Sequence, residues 1–292
     1  MSVHPVDLGP GTPALGASGS LLRRLVRDRT AAVGLLILAV LVVAALAAPL
    51  LTPYDPDVQN TSERFASPSL AHPLGTDHLG RDELTRVLYG ARVSLLTTLA
   101  IGTTILLIGT VVGLVSGFLG GLVDGLIMRV VDVLLAFPAL LLALAVTGFL
   151  GPGLLNLALA MTSIWWVEYA RIVRGQVLGI KERPYVESAR ALGLPRRTVA
   201  LRHVLPNLIG PVVVLATLQS GRLLLSLAAL SFLGLGVSPP TAEWGAMLNE
   251  ARAYLAVEPE LMLYPGLAIT IAGLGFNLLG DGLRDVLDPS LR

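Results

Sequence analysis

Few residues in this chain are equipped for chemistry, and most of those fall in one stretch. His72, Asp77, His78 and Asp82 combine imidazole with carboxylate, a ligand set that suits divalent metals. They sit among Pro73, Gly75 and Gly80, and a folded cap leading into the next helix accounts for them better than a metal site does. His4 and His203 are remote in sequence, and no nucleophile, base and oxyanion donor stand out together. With no cysteine, thiol nucleophiles, thiolate metal sites and disulfides are excluded. The single lysine, Lys181, is followed by Glu182, so the loop G-x-x-x-x-G-K-[ST] is missing and the chain does not hydrolyse nucleotide through it. No catalytic residue, metal ligand or cofactor is assigned. Arg222 draws notice for another reason: it interrupts a long apolar run, where an ionisable group is a functional candidate.

The elements that must hold these residues follow from composition. Of 292 residues, 54% are hydrophobic and 14% charged, against about 45–50% and about 25% in soluble domains. This excludes an ordinary soluble enzyme and makes lipid the solvent for most of the chain. A helix needs about 20 apolar residues to cross about 30 Å of hydrocarbon. Six runs qualify: 31–51, 93–118, two within the uncharged stretch 133–167 divided at Gly151-Pro152-Gly153, 207–236 and 261–280. The predicted fold is all-α, an integral membrane protein of six transmembrane helices. Arg23, Arg24, Arg27 and Arg29 resemble the start of a signal peptide, but the apolar run behind them is too long, which predicts an uncleaved anchor. Residues 1–20, dominated by Gly, Pro, Ser and Ala, read as a disordered tail.

The net charge of +1 hides a polarised molecule. With both termini in the cytoplasm, fifteen Lys and Arg lie inside and five outside, and the positive-inside rule selects that orientation. The outer loops, 52–92 and 237–260, then hold ten carboxylates. The expected organisation is a tail (1–20), an N-terminal helix with an extracytoplasmic loop (21–91), a five-helix core (92–285) and a cytoplasmic tail (286–292).

Within the core, the loop 184–206 is punctuated by helix signals. Pro184 suits a first turn, Glu187 favours the dipole there, Gly193 can close the helix in the left-handed conformation, and Pro195 opens a second short helix running toward Pro206. A helix of about nine residues is marginal alone in water, so this one must dock. Ser188, Ala189 and Gly193 permit close approach, while Glu187, Arg190, Arg196 and Arg197 can set register on a protein surface.

The pattern Glu187-Ser188-Ala189-x-x-x-Gly193, nine further residues, then His203-Val204-Leu205-Pro206 resembles the EAA loop of bacterial ABC-importer permeases, with Ser188 and His203 as small departures. Further segments resemble the C-type subunit of the dipeptide/oligopeptide/nickel group: His72-Pro73-Leu74-Gly75-Thr76-Asp77-His78-Leu79-Gly80-Arg81-Asp82, Leu230-Ser231-Phe232-Leu233-Gly234-Leu235-Gly236, Pro239-Pro240 with Glu243-Trp244-Gly245, and Leu279-Gly280-Asp281-Gly282-Leu283-Arg284-Asp285. The resemblance covers nearly the whole chain from about residue 20. It implies a type I importer permease fold in the bacterial inner membrane, a heterodimeric pore with a B-type permease, two ATP-binding subunits, and an extracytoplasmic solute-binding protein. It also implies that Glu187, Ser188, Ala189, Arg190, Gly193, Arg196, Arg197 and Pro206 couple to the ATPase. No nucleic-acid partner is implied.

The expected function is therefore a non-enzymatic pore subunit for uptake of di- or oligopeptides. Nickel or another small solute is the alternative within the group. An ion-coupled secondary transporter is a more distant one, because no convincing internal repeat is visible. Arg222, Gln219 and Asn277 are candidates for lining the pore or joining helices. For Arg222, a carboxylate of the partner permease is preferred over one on the solute.

Overall fold

The computed structural model describes residues 18–287, and side chains from residue 23 onward. Asp28 ends the basic helix α1 (Ser18–Arg27) and caps α2 (Arg29–Leu46), accepting the Ala31 N–H at 2.8 Å. The tail expected over 1–20 thus lies outside the described residues as far as residue 17, as does the terminal stretch 288–292. A short helix α3 (Ala48–Leu51) follows, then a loop to residue 82 with a single bridge, Thr76 to Asp82.

Asp82 caps the next helix in the same way, its carboxylate accepting the Thr85 N–H at 2.8 Å. That helix, α4 (Glu83–Leu119), turns at Gly120 into α5 (Gly121–Leu135), and α6 (Ala139–Leu150) continues at an 86° bend. Pro138 causes the bend: it has no N–H to donate and keeps Phe137 from helical geometry. Beyond Gly153 come α7 (Leu154–Lys181), α8 (Pro184–Ala191) and α9 (Arg196–Val199), then α10 (Leu205–Phe232), α11 (Trp244–Ala251) and α12 (Glu260–Leu287).

One sequence expectation is corrected here. Pro206 does not stop a second short helix; α9, a π turn over Ala200–Val204 and α10 form one 37-residue helix, Arg196–Phe232. The Leu205 N–H donates five residues back, to the Ala200 carbonyl, so the backbone widens just ahead of the proline ring that would otherwise crowd the preceding turn.

Four helices are long and apolar enough to cross a membrane (α2, α4, the joined α9–α10 and α12), or five if the bent α5–α6 pair counts as one. The remaining long helix, α7, is 28 residues but carries Glu168, Arg171, Arg174 and Lys181 in its second half. This is an all-helical membrane protein, with no strand among the described residues.

Backbones approach closely where glycines recur every fourth residue, the small-residue packing expected in lipid. Gly109, Gly113 and Gly117 lay α4 against α7; a Cβ on Gly113 would meet the Ala170 carbonyl at 2.6 Å and Val173 Cβ at 2.8 Å. Gly34 and Gly282 do the same between α2 and α12. Helix α10 packs on both α4 and α12, joining the two pairs. The sole lysine also serves this contact: Lys181 Nζ, at the end of α7, donates to the Gly117 carbonyl of α4 at 3.1 Å.

Gly113→Leu should cost at least about 1–3 kcal/mol by overpacking, lowering the thermal unfolding midpoint in detergent. Gly125→Leu, where an added Cβ meets nothing within 4 Å, should leave it unchanged.

Candidate functional site

The loop helix α8 buries Val186 and Ala189 in a cluster with Val173, Val177 and Ile180 of α7, Val199 of α9, and Leu208 and Val212 of α10. Pro184 and Glu187 occupy its first turn, and Gly193 follows its end at φ +76°, a conformation only glycine takes without strain. Docking one face leaves the other bare. Glu187, Ser188, Arg190, Gly193, Arg196 and Arg197 are exposed, whereas Ala189 faces the core and Pro206 is half-buried. Ala189 and Pro206 therefore support the surface rather than form it. Leu192, absent from the residues singled out by sequence for this surface, is 82% exposed at the tip. Arg190 also lies 5.8 Å from the Phe118 ring centroid, tying the helix to the end of α4.

Between α7 and α10, two of the three residues named as candidates for lining the pore or joining helices meet Glu168, whose sequence position suggests only a structural role near the cytoplasmic end of its span. Gln219 on α10 donates its amide N–H to Glu168 on α7 at 2.9 Å, and its amide oxygen accepts from Arg222 at 3.3 Å. Arg222 is thus linked within this chain through a neutral amide. Asn277 does not join them; it is exposed on α12, beside Gly221.

At the opposite end from α8, ionic side chains are buried in quantity. Arg81, with its side chain fully enclosed, bonds Asp77 at 2.6 Å and Glu250 of α11 at 2.5 Å, and Arg86 reaches Glu250 at 3.1 Å. Arg86 also donates to the carbonyls of Pro56 and Pro240, so two guanidiniums clamp the 52–82 loop, α4, the segment before α11 and α11 itself. Glu243 caps α11 through the Gly245 and Ala246 N–H groups and accepts from Ser94 on α4 at 2.9 Å. Trp244, fully buried, donates its indole N–H to the Val87 carbonyl at 2.9 Å.

The four histidines and aspartates that suggested a metal separate into two pairs. His72 bonds Asp82 at 2.9 Å and stacks on Tyr54, with ring centroids 4.7 Å apart. Asp77 and His78 instead stand near Glu250, within 4.8 Å of one another. Both carboxylates there already hold arginine, and two guanidiniums repel a further cation. Burial keeps the His78 imidazole below the ordinary histidine range, and its ring stacks on Tyr254 at 5.0 Å. The stretch is a folded cap.

Comparison with known proteins bears on the whole chain. Residues 109–292 match the model of the family described as binding-protein-dependent transport system inner membrane component. Residues 19–68 match that of the N-terminal TM domain of oligopeptide transport permease C. The chain is 41% identical to a dipeptide transport system permease protein of Alkalihalophilus pseudofirmus, covering 92% of this chain and 89% of that one. It is 43% identical to a putative peptide transport system permease protein of Brucella abortus, over 96% and 95% of the two chains. It is also 45% identical to a glutathione transport system permease protein of Escherichia coli, over 92% and 89%.

Removing the carboxylate that two buried arginines share should be among the most damaging single changes. Glu250→Gln should cost about 3–5 kcal/mol, read as a lower unfolding midpoint in detergent. Neutralising the exposed Asp57 by Asp57→Asn should shift stability by no more than about 0.5 kcal/mol.

Proposed function

Since the chain belongs to the family of binding-protein-dependent transport system inner membrane components, we propose that it is half of the pore of an ATP-driven peptide importer. The other half is a B-type permease, two ATP-binding subunits supply the energy, and an extracytoplasmic binding protein delivers di- or oligopeptides. The observation that carries the coupling role is the exposed face of α8, presented by a helix whose other face is anchored in the bundle. A short helix held this way moves with α7 and α10 as one body. ATP-driven closure of the partner subunits would carry α8 with it and rock the core against the second permease.

In this reading α7 is the sixth crossing, both termini are cytoplasmic in a bacterial inner membrane, and α8 faces the cytoplasm. The relatives named for dipeptide, peptide and glutathione transport favour a peptide over nickel, and a binding-protein-dependent family sets aside an ion-coupled carrier. The Arg222–Gln219–Glu168 chain supports a polar station along the pore.

The cysteine-free chain allows a direct test of orientation. Leu70→Cys, at a fully exposed site, should react with an impermeant maleimide in intact spheroplasts; Leu192→Cys should react only after permeabilisation. The opposite pattern would overturn the topology.

Coupling has its own test. Gly193→Val strains a left-handed position by about 1–2 kcal/mol and Glu187→Arg reverses an exposed charge. Each should lower peptide uptake by the assembled complex about tenfold, a barrier change near 1.4 kcal/mol, while the partner permease still co-purifies. Unchanged uptake and ATPase activity in both would remove α8 from the coupling role.

A further inference from the structure

Between α6, α7 and α10 lies a cavity of about 280 Å³ lined by Leu140, Trp165, Glu168, Tyr169, Gln219 and Arg222, among others. Glu168, half-buried at the middle of α7, and Arg222, exposed ten residues before the end of α10, place the cavity partway along these helices and open to the surface of this chain. Its two ionisable groups are incompletely used. Glu168 accepts one hydrogen bond, from an uncharged amide, and Arg222 spends one of its donors on the other end of the same amide. Neither forms an ion pair among the described residues. Gln219 has only one sensible orientation here, its N–H facing the carboxylate and its oxygen facing the guanidinium, and so it holds the opposite charges apart. A pair kept only for mutual neutralisation would close into contact.

A second observation points the same way. Tyr169 lines the cavity and is 1% exposed, and its hydroxyl has no hydrogen-bond partner. Buried hydroxyls are ordinarily satisfied; this one, like those of Thr110, Tyr185 and Ser231, keeps an unused donor.

We propose that this cavity is a transit site for the termini shared by all free peptides, Glu168 receiving an α-ammonium group and Arg222 an α-carboxylate, with the Tyr169 hydroxyl bonding the backbone between them. Two weak stations of opposite sign recognise what varied peptides have in common and ignore their side chains. The inference rests on the peptide-importer reading.

The test uses the full complex in proteoliposomes with ATP and saturating binding protein, following a labelled dipeptide. Glu168→Gln and Arg222→Gln should each lower peptide moved per ATP hydrolysed about tenfold, with the partner chains still assembled. The exchange Glu168→Arg with Arg222→Glu should not restore it, whereas a structural pair would be restored, and that result would overturn the proposal. In a Leu140→Cys background, dipeptide present during turnover should slow thiol modification of this chain, and the slowing should disappear in Glu168→Gln. Normal uptake by both single variants, or modification indifferent to dipeptide, would also overturn it. Failure of the unaltered complex to take up dipeptide would instead bring down the peptide reading itself, and this site with it.

Discussion

The bundle depends on how closely α4 can approach α7. Lipid offers no hydrophobic gain for pressing one apolar helix on another, so the association must come from contact between backbones and from polar groups satisfied across the seam. Gly109, Gly113 and Gly117 provide the contact, and Lys181 satisfies the carbonyl left free where α4 ends. With α7 fixed, the faces that receive α6, α8 and α10 are fixed too. The polar cavity and the docked loop helix are therefore both results of that seam.

Charge is distributed with the same economy. At the end bearing the 52–82 loop, arginines and carboxylates are buried but paired, so their desolvation is largely offset by short ionic bonds, with Arg81 Nη1 and Glu250 Oε1 left over. On α8 and the start of α9, Glu187, Arg190, Arg196 and Arg197 are exposed and form no ion pair among the described residues, the pattern the proposed docking to a partner calls for. Between α7 and α10, Glu168 and Arg222 are kept apart by an amide. Three arrangements of the same residue types thus separate a structural clamp, the proposed docking face and the proposed polar station.

The apolar runs made most helices legible from composition, and Pro184, Glu187 and Gly193 located α8 to the residue. Two failures have physical causes. Pro206 reads as a stop because a proline removes a hydrogen bond, yet a π turn absorbs the defect and leaves no trace in residue type. The clamp could not be read because Arg81 and Glu250 are 169 residues apart, and charge counting shows that outer arginines have carboxylates available without saying which. Glu168 lies just past the uncharged stretch 133–167, and its meeting with Gln219 required knowing which faces of α7 and α10 oppose. The stripe at Gly109, Gly113 and Gly117 was readable in principle, since its four-residue spacing is a local signal.

The unbroken helix from Arg196 to Phe232 has a geometric consequence. At 1.5 Å per residue it is about 55 Å long, so a tilt of about 5° about one end displaces the other by about 5 Å. Had Pro206 severed it, a push at the loop would have been spent in a joint. As built, its short leg packs Val199 and Val204 beside α8, and its long leg passes Gln219 and Arg222 before ending where Asn249 holds the Phe232 carbonyl. One helix thus spans from the loop beside α8 to the far end of the bundle, and the proposed rocking would reach both through it.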